Sequence, residues 1–564
     1  MPKDLPWILG LSASHNGAAC LLKGDEIFVA IQEERLSRVK RQWILGGSQS
    51  LAATYCLNFA GIQPYDLAAI ALSVTGSSRD PEHNLQSNPV VKSSGKRTRV
   101  FTVPHHYAHA VSVFATSGFR DSAILVVDGV GSPVEDLFEE ERKVLTKRIE
   151  RGSEMISLYS ASGTSLVPLE KHPVEDGAWL TSRAAGMPGF GSLGGMYSAV
   201  AEQIFGNAME AGKVMGLAPY GDPEIPVEDF FEIRNGTINF QNALPERFKQ
   251  KDRWPLRQEE YTNLSASVQK ALEEALLFLV KRLRKLQSSS NLCYAGGVAL
   301  NSVANERIIR HSGFQEVHIT PAAEDSGAAV GAAYYALWQV TGSNSRRKMV
   351  HDACGQPYWS AAISAAVDGA VGKGIRYVSS TDSISDAVDL LSQGKVIGWF
   401  DGRSELGPRA LGQRSILCDP RRLSYKDVLN RRVKKRESFR PFAPAILRDE
   451  VANWFELDGT SEESRFMLRV CSFKPEKKAL VPAVVHVDGT GRLQTLSKEA
   501  NGKFYEVAKS FYRKTGVPIL LNTSFNAAGE PIVETPADAI ACLLGTELDC
   551  CVFEDRIVFK NVKW

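Results

Sequence analysis

The residues best able to do chemistry begin with His105-His106-Tyr107-Ala108-His109-Ala110, where two imidazoles stand four residues apart. On a helix His105 and His109 share one face and can bind one ion. The zinc-protease helix needs Glu where His106 stands, so that chemistry is not indicated. Two carboxylates extend the set. Asp128 ends the apolar run Val126-Val127, and Asp325 stands at a helix start in Glu324-Asp325-Ser326-Gly327. Alone, Asp325 is equally suited to capping that helix. Together, two imidazoles and two carboxylates suit a borderline divalent ion such as iron, manganese or zinc. Open coordination positions would let such an ion polarise a phosphate or carbonyl oxygen.

Glycine turns lie beside these residues. Gly129-Val130-Gly131, Gly296-Gly297 and Gly327 let backbone N–H groups approach a phosphate or ribose closely. The segment from Glu210 to Gly221 adds Lys213 beside such turns. No G-x-x-x-x-G-K-[ST] occurs, so the chain is not a P-loop protein.

The elements that must position these groups read as strand meanders. Trp7 to Leu11, Ala18 to Leu22 and Glu26 to Ile31 are apolar runs separated by the turns His15-Asn16-Gly17 and Lys23-Gly24-Asp25. The form returns at Ser122 to Gly131, Met155 to Ser160 and Ser165 to Lys171, which hints at an internal duplication. Leu264, Val268, Leu272, Leu276, Leu279 and Leu283 predict a long helix over 263–286. A Gly-, Ser- and Arg-rich stretch over 341–356 reads as a linker. Two domains are therefore expected, 1–350 and 351–564, as the length of 564 residues also suggests.

Composition bounds the class. A formal net charge of +2 argues against wholesale binding to nucleic acid or a membrane surface, and for the local run Arg431 to Arg436 a solvated helix face is one of two evenly matched readings. No transmembrane run and no basic-then-apolar leader is seen, and the nine cysteines lack paired C-x-x-C spacing. The expectation is a cytoplasmic protein with reduced, buried thiols. Its oligomeric state is left open.

Many ordered motifs, spread over nearly the whole chain, resemble those of the O-carbamoyltransferases of antibiotic and nodulation-factor biosynthesis. They include His15-Asn16-Gly17, Glu33 to Arg38, the His105 to His109 cluster, Val127-Asp128-Gly129, Lys213 to Gly221, Gly296 to Asn301 and Asp325-Ser326-Gly327. The second half adds Glu405 to Gly412, Phe439 to Pro444, His486 to Thr490 and Leu521 to Asn526. The resemblance implies an α/β protein: a duplicated actin/hexokinase-like domain, as in the protein that transfers threonylcarbamoyl to tRNA, followed by a YrdC-like α/β domain. It also implies the reaction. Carbamoyl phosphate and ATP, with Mg²⁺, give carbamoyl adenylate in the second domain, and the first passes the carbamoyl group to a hydroxyl of a small natural product.

By the same resemblance, Arg409, Lys434, Arg440 and Arg492 would bind ATP or carbamoyl phosphate, with Asn522 and Ser524 adding hydrogen bonds. His105, His109, Asp128 and Asp325 would hold Fe²⁺. Lys40, Gly129, Gly296, Gly297 and Asn301 would line the carbamoyl adenylate in the first domain. His15 would take the acceptor's proton, as a neutral imidazole can near pH 7. Some relatives carry Asp where Asn16 stands, so carboxylate support for His15 is absent at that position. Glu210 and the stretch between Pro133 and Gly191 are expected to shape the acceptor pocket. Three rival readings share parts of this pattern. A hydrogenase-maturation carbamoyltransferase would carry an acylphosphatase segment and paired C-x-x-C modules. A tRNA threonylcarbamoylation enzyme would favour a basic surface. A non-catalytic actin-like nucleotide scaffold would need neither the metal cluster nor the arginines.

Overall fold

The computed structural model describes residues 5–44, 48–75, 86–149, 151–175, 191–241, 252–372, 374–457, 461 and 463–561. Two compact units emerge. The first comprises residues 1–30 and 43–349, the second 31–42 and 350–564. The two units part between residues 349 and 350. One correction is needed: residues 31–42 leave the first unit and pack within the second.

The first unit contains two five-stranded sheets. One is built from β1 (Trp7–Ala13), β2 (Ala18–Lys23), β3 (Glu26–Gln32), β4 (Ala69–Val74) and β5 (Arg99–Val103), in the order β3-β2-β1-β4-β5. The other is built from β6 (Asp121–Val127), β7 (Gly152–Ser162), β8 (Ser165–Glu175), β9 (Asn291–Ala295) and β10 (Glu316–Ile319), in the order β8-β7-β6-β9-β10. Each sheet thus lists its own strands as third, second, first, fourth, fifth. In each, the first strand pairs antiparallel with the second and parallel with the fourth. This shared topology is the duplication hinted at by the repeated meander, and it is the actin/hexokinase-like architecture.

Helices close each half. His105–Ser117 follows β5, and Ser326–Thr341 follows β10. The second of these, Ser-Gly-Ala-Ala-Val-Gly-Ala-Ala, carries small residues because its backbone lies against its neighbours. A Cβ on Gly331 would sit 1.8 Å from the carbonyl oxygen of Ala108 in the first helix. Facing it from β1, a Cβ on Gly10 would sit 2.1 Å from the carbonyl oxygen of Ala329. Glycine is required at both places to let three backbones approach. The predicted long helix runs over Gln258–Leu286, a turn earlier than expected, and all six of its spaced apolar residues are buried.

The second unit is an α/β domain on a ten-stranded mixed sheet. Its central strands include Ile397–Phe400, Arg414–Cys418, Ile519–Ser524 and Ala443–Leu447. Helix Ser383–Ser392 starts at Asp382, whose side chain accepts the N–H of Ser385. All nine cysteines are buried and unpaired, and no described helix is long and apolar enough to cross a membrane.

Gly331→Ala should lower stability by about 1–3 kcal/mol through overpacking. Chemical denaturation of the full chain checks this; an unchanged midpoint would contradict the close helix contact.

Candidate functional site

The first unit brings four residues together from four separate elements. His105 and His109 lie on one face of the helix after β5, Asp128 follows β6, and Asp325 precedes the helix after β10. All four are buried, and each offers a ligand atom within 4.8 Å of the others. The two Nε2 atoms lie 3.1 Å apart. Oδ2 of Asp128 is 3.4 Å from both, and Oδ1 of Asp325 lies 3.4 and 3.8 Å from them. Metal–ligand bonds of about 2.0–2.2 Å would set neighbouring donors roughly 3–3.5 Å apart, close to this spacing.

Electrostatics agree with that fit. Burial alone would push His105 down, but Asp325 and Asp128 outweigh it and raise the imidazole to about 10. Burial and mutual repulsion would raise the two carboxylates, yet the imidazoles hold both well below the usual range. The carboxylates that raise His105 would equally favour a divalent cation, and ion binding would displace any proton held there.

The orientation of these ligands comes from their surroundings. Asp325 does not cap its helix; its side chain makes no cap bond, and Glu324 instead accepts the N–H of Ser326. Oδ1 of Asp128 accepts the N–H of Gly129 at 2.7 Å and of Gly297 at 3.2 Å. These two amides are thus directed at the Asp128 carboxylate, leaving Oδ2 to face the imidazoles. Gly296, with φ of 95°, is needed because a Cβ there would lie 2.1 Å from the carbonyl oxygen of Val127.

His15, in the turn between β1 and β2, places Nδ1 3.1 Å from Oδ2 of Asp325. Asp325 therefore supplies the carboxylate partner that Asn16 does not, a contact between distant segments that no local spacing signals. Such a partner orients an imidazole for proton transfer. The Trp43 ring lies 6.1 Å from that of His15.

Two expected members of this site are engaged elsewhere. Asn301 caps helix Ser302–His311 by accepting the N–H of Ala304, and its amide exchanges hydrogen bonds with Gln269. Lys40 belongs to the segment that packs in the second unit, where its charge bears on Lys434. Glu210 is partly exposed and lies 3.6 Å from Lys213. Of the expected acceptor stretch, residues 176–190 lie outside the described residues. Just after it, Gly194 seats against the backbone of Gly129.

In the second unit, Arg409, Lys434, Arg440 and Arg492 do converge. Burial and Arg440 lower Arg409 to about 10, while burial together with Arg409, Arg436 and Arg440 holds Arg492 well below its ordinary value. Burial, then Arg436 and other cations including Lys40, lowers Lys434 strongly. Arg436 is brought by burial and Arg440 to about 9. Glu437, 4.0 Å from Arg440, is a nearby counter-charge. The Nε atoms of Arg409 and Arg492 are buried without hydrogen-bond partners. Cations clustered this way form a ready site for a polyanion.

Lys434 donates to the carbonyl and hydroxyl of Ser524 and to both oxygens of Asn526, so Ser524 anchors the lysine. Asn522 is buried and donates to the carbonyl of Ala410 and to Gln494, holding the loop that bears Arg409. Arg436 and Asn526 were missed from sequence. Arg436 lay in a run with a solvated face as one reading, and its packing over the ring of Phe442 reveals its inward setting.

Residues 83–334 match the family model for the carbamoyltransferase N-terminus, and residues 388–560 match that for the carbamoyltransferase C-terminus. The chain belongs to the carbamoyltransferase family. Nodulation protein NolNO of Sinorhizobium fredii is 35% identical over 583 residues, covering 97% of this chain and 79% of that protein. Nodulation protein NolO of Bradyrhizobium diazoefficiens is 35% identical over 468 residues, covering 81% and 79%. Among solved structures, full-length HypF in its phosphate- and nucleotide-bound form shares 14% identity, with a TM-score of 0.37 over 61% of this chain and 57% of that one.

In this carbamoyltransferase the crowded cations should oppose folding when no anion is bound. Arg492→Met should raise stability in anion-free buffer by up to about 1 kcal/mol. Inorganic pyrophosphate should stabilise the wild type more than the variant. Thermal melts with and without pyrophosphate check both expectations; equal ligand-induced shifts would count against the cluster as an anion site.

Proposed function

We propose that this carbamoyltransferase is an ATP-dependent O-carbamoyltransferase acting on a hydroxylated small-molecule natural product, as in antibiotic or nodulation-factor biosynthesis. The observation that carries the reading is the cluster of Arg409, Lys434, Arg436, Arg440 and Arg492, whose strongest electrostatic neighbours include one another. Two anionic substrates would offset that repulsion. Carbamoyl phosphate is first hydrolysed to carbamate and phosphate. A carbamate oxygen then attacks the α-phosphorus of ATP, with Mg²⁺ on the phosphates, and pyrophosphate leaves. The arginine forks stabilise charge on the phosphoryl oxygens, and Lys434, held at the strand end by Ser524 and Asn526, adds a point charge.

Transfer takes place in the first unit. The acceptor hydroxyl attacks the carbamoyl carbon of the mixed anhydride, His15 takes its proton, and AMP leaves. Asp325 orients the His15 ring from 3.1 Å. His105, His109, Asp128 and Asp325 would hold Fe²⁺ or another borderline divalent ion, which would supply Lewis-acid polarisation when bound. Gly129 and Gly297 fix the Asp128 carboxylate through its other oxygen. We assign the reaction to the cytoplasm, consistent with nine unpaired, buried cysteines.

Mixing the full chain with ATP, Mg²⁺ and carbamoyl phosphate should yield pyrophosphate and carbamoyl adenylate without any acceptor. Their absence from folded, metal-loaded protein would sink this reading. Arg440→Ala should slow adenylate formation by about 100-fold or more. His105→Ala should abolish divalent-ion binding in calorimetry and block transfer, yet leave pyrophosphate release intact. Equal loss of the first step in both variants would refute the division of labour.

A further inference from the structure

The excursion of residues 31–42 into the second unit sets a specific pair of groups together. Arg35, in the short helix Glu33–Ser37, is 1% exposed. Its guanidinium donates to the carbonyl oxygen of Gly407 at 2.7 Å and to Oε1 of Gln32 at 3.2 Å. Three residues on, Arg38 donates to the carbonyls of Ile532 and Pro531 at 2.7 and 2.9 Å, which fastens the segment itself.

Gly407 stands two residues before Arg409, in a loop between strands Arg403–Glu405 and Arg414–Cys418. That loop has no helix or strand to define its path. Buried side chains do so instead. Asp352 accepts the N–H of Gly407 at 2.9 Å, Asn522 donates to the carbonyl of Ala410 at 3.1 Å, and Glu405 accepts the N–H groups of Leu411 and Gln413 at 2.7 and 2.9 Å. The residues flanking Arg409 are therefore pinned on both sides. On the Gly407 side the carbonyl is held by Arg35. A charged donor suits this task, since charge-assisted hydrogen bonds are stronger and a guanidinium is rigid.

We infer that Arg35 is a positioning residue for the anion site: by fixing the Gly407 carbonyl it aims Arg409, so the activation step depends on a segment that precedes most of the first unit in sequence. The inference rests on the reading of the cation cluster as the ATP and carbamoyl phosphate site. Its structural part, the ordering of the Arg409 loop, stands independently of that reading.

Two measurements on the full chain test it. Hydrogen exchange of residues 406–413 should quicken in Arg35→Met and return towards wild type in Arg35→Lys. Binding of ATP with Mg²⁺, measured by calorimetry, should weaken about tenfold in Arg35→Met. In a double-mutant cycle, adding Arg35→Met to Arg409→Ala should cost little more, because one acts through the other. A merely structural arginine would give additive losses, and additivity would overturn the inference, as would unchanged exchange over 406–413. If Arg35→Met fails to fold, Arg35→Lys and Arg35→Gln carry the same comparison. Should the wild type bind no ATP, the functional reading falls, and hydrogen exchange alone decides whether Arg35 orders the loop.

Discussion

Asp325 is the residue on which the first unit's chemistry turns. One of its oxygens lies 3.1 Å from His15, and the other lies 3.4 and 3.8 Å from His105 and His109. It is buried, it makes no cap bond to its own helix, and the imidazoles around it hold its carboxyl well below the usual carboxylate range. The duplicated fold explains how this is possible. His15 occupies the turn after the first strand of one half, and Asp128 the turn after the first strand of the other. His105 begins the helix after the fifth strand of one half, and Asp325 precedes the corresponding helix of the other. Equivalent positions of the two halves thus supply complementary groups, an imidazole from one and a carboxylate from the other. The close contact at Gly331 and Ala108 brings those two helices near enough for the groups to meet.

The second unit solves a different electrostatic problem. In the first unit, opposite charges compensate each other within the cradle. In the second, cations are packed against cations, and burial lowers each further. A protein held only to stability would not keep such an arrangement, since replacing buried charge with apolar groups is often neutral or favourable. Such an arrangement is what the proposed anion site calls for, since repulsive groups concentrate where a ligand completes them.

Much of this was legible in sequence, and the reasons differ by residue. The i, i+4 spacing of His105 and His109 is a local geometric fact that a helix preserves. The strand meanders follow from short apolar runs between turns, and the long helix from its three-and-four spacing. What escaped was long-range. No pattern near His15 announces Asp325, 310 positions away in sequence. The glycines at 129 and 297 were rightly singled out as turns permitting close approach, but what approaches is the Asp128 carboxylate. Asn301 sits just before a helix, and its capping bond to Ala304 is the local reading that applies. Arg436 shows the converse error, since a run of charges in sequence need not share one solvated face once Phe442 packs beneath one of them.

Lys40 and Arg35 make the same point at the level of domains. A boundary drawn at one position assumes that each unit is continuous in sequence, and periodicity cannot reveal an exception only twelve residues long. The exception is nevertheless held by specific bonds: two carbonyls to Arg38 and the Gly407 carbonyl to Arg35. A buried guanidinium gains from every acceptor it meets, and Arg35 finds one for Nε and one for Nη2 while its Nη1 has none among the described residues. Backbone carbonyls of an irregular loop likewise lack the partners that a helix or sheet would provide. Each needs what the other offers. That mutual requirement gives a physical reason for the excursion to keep its place in the second unit, and for the loop bearing Arg409 to hold a defined shape without regular secondary structure.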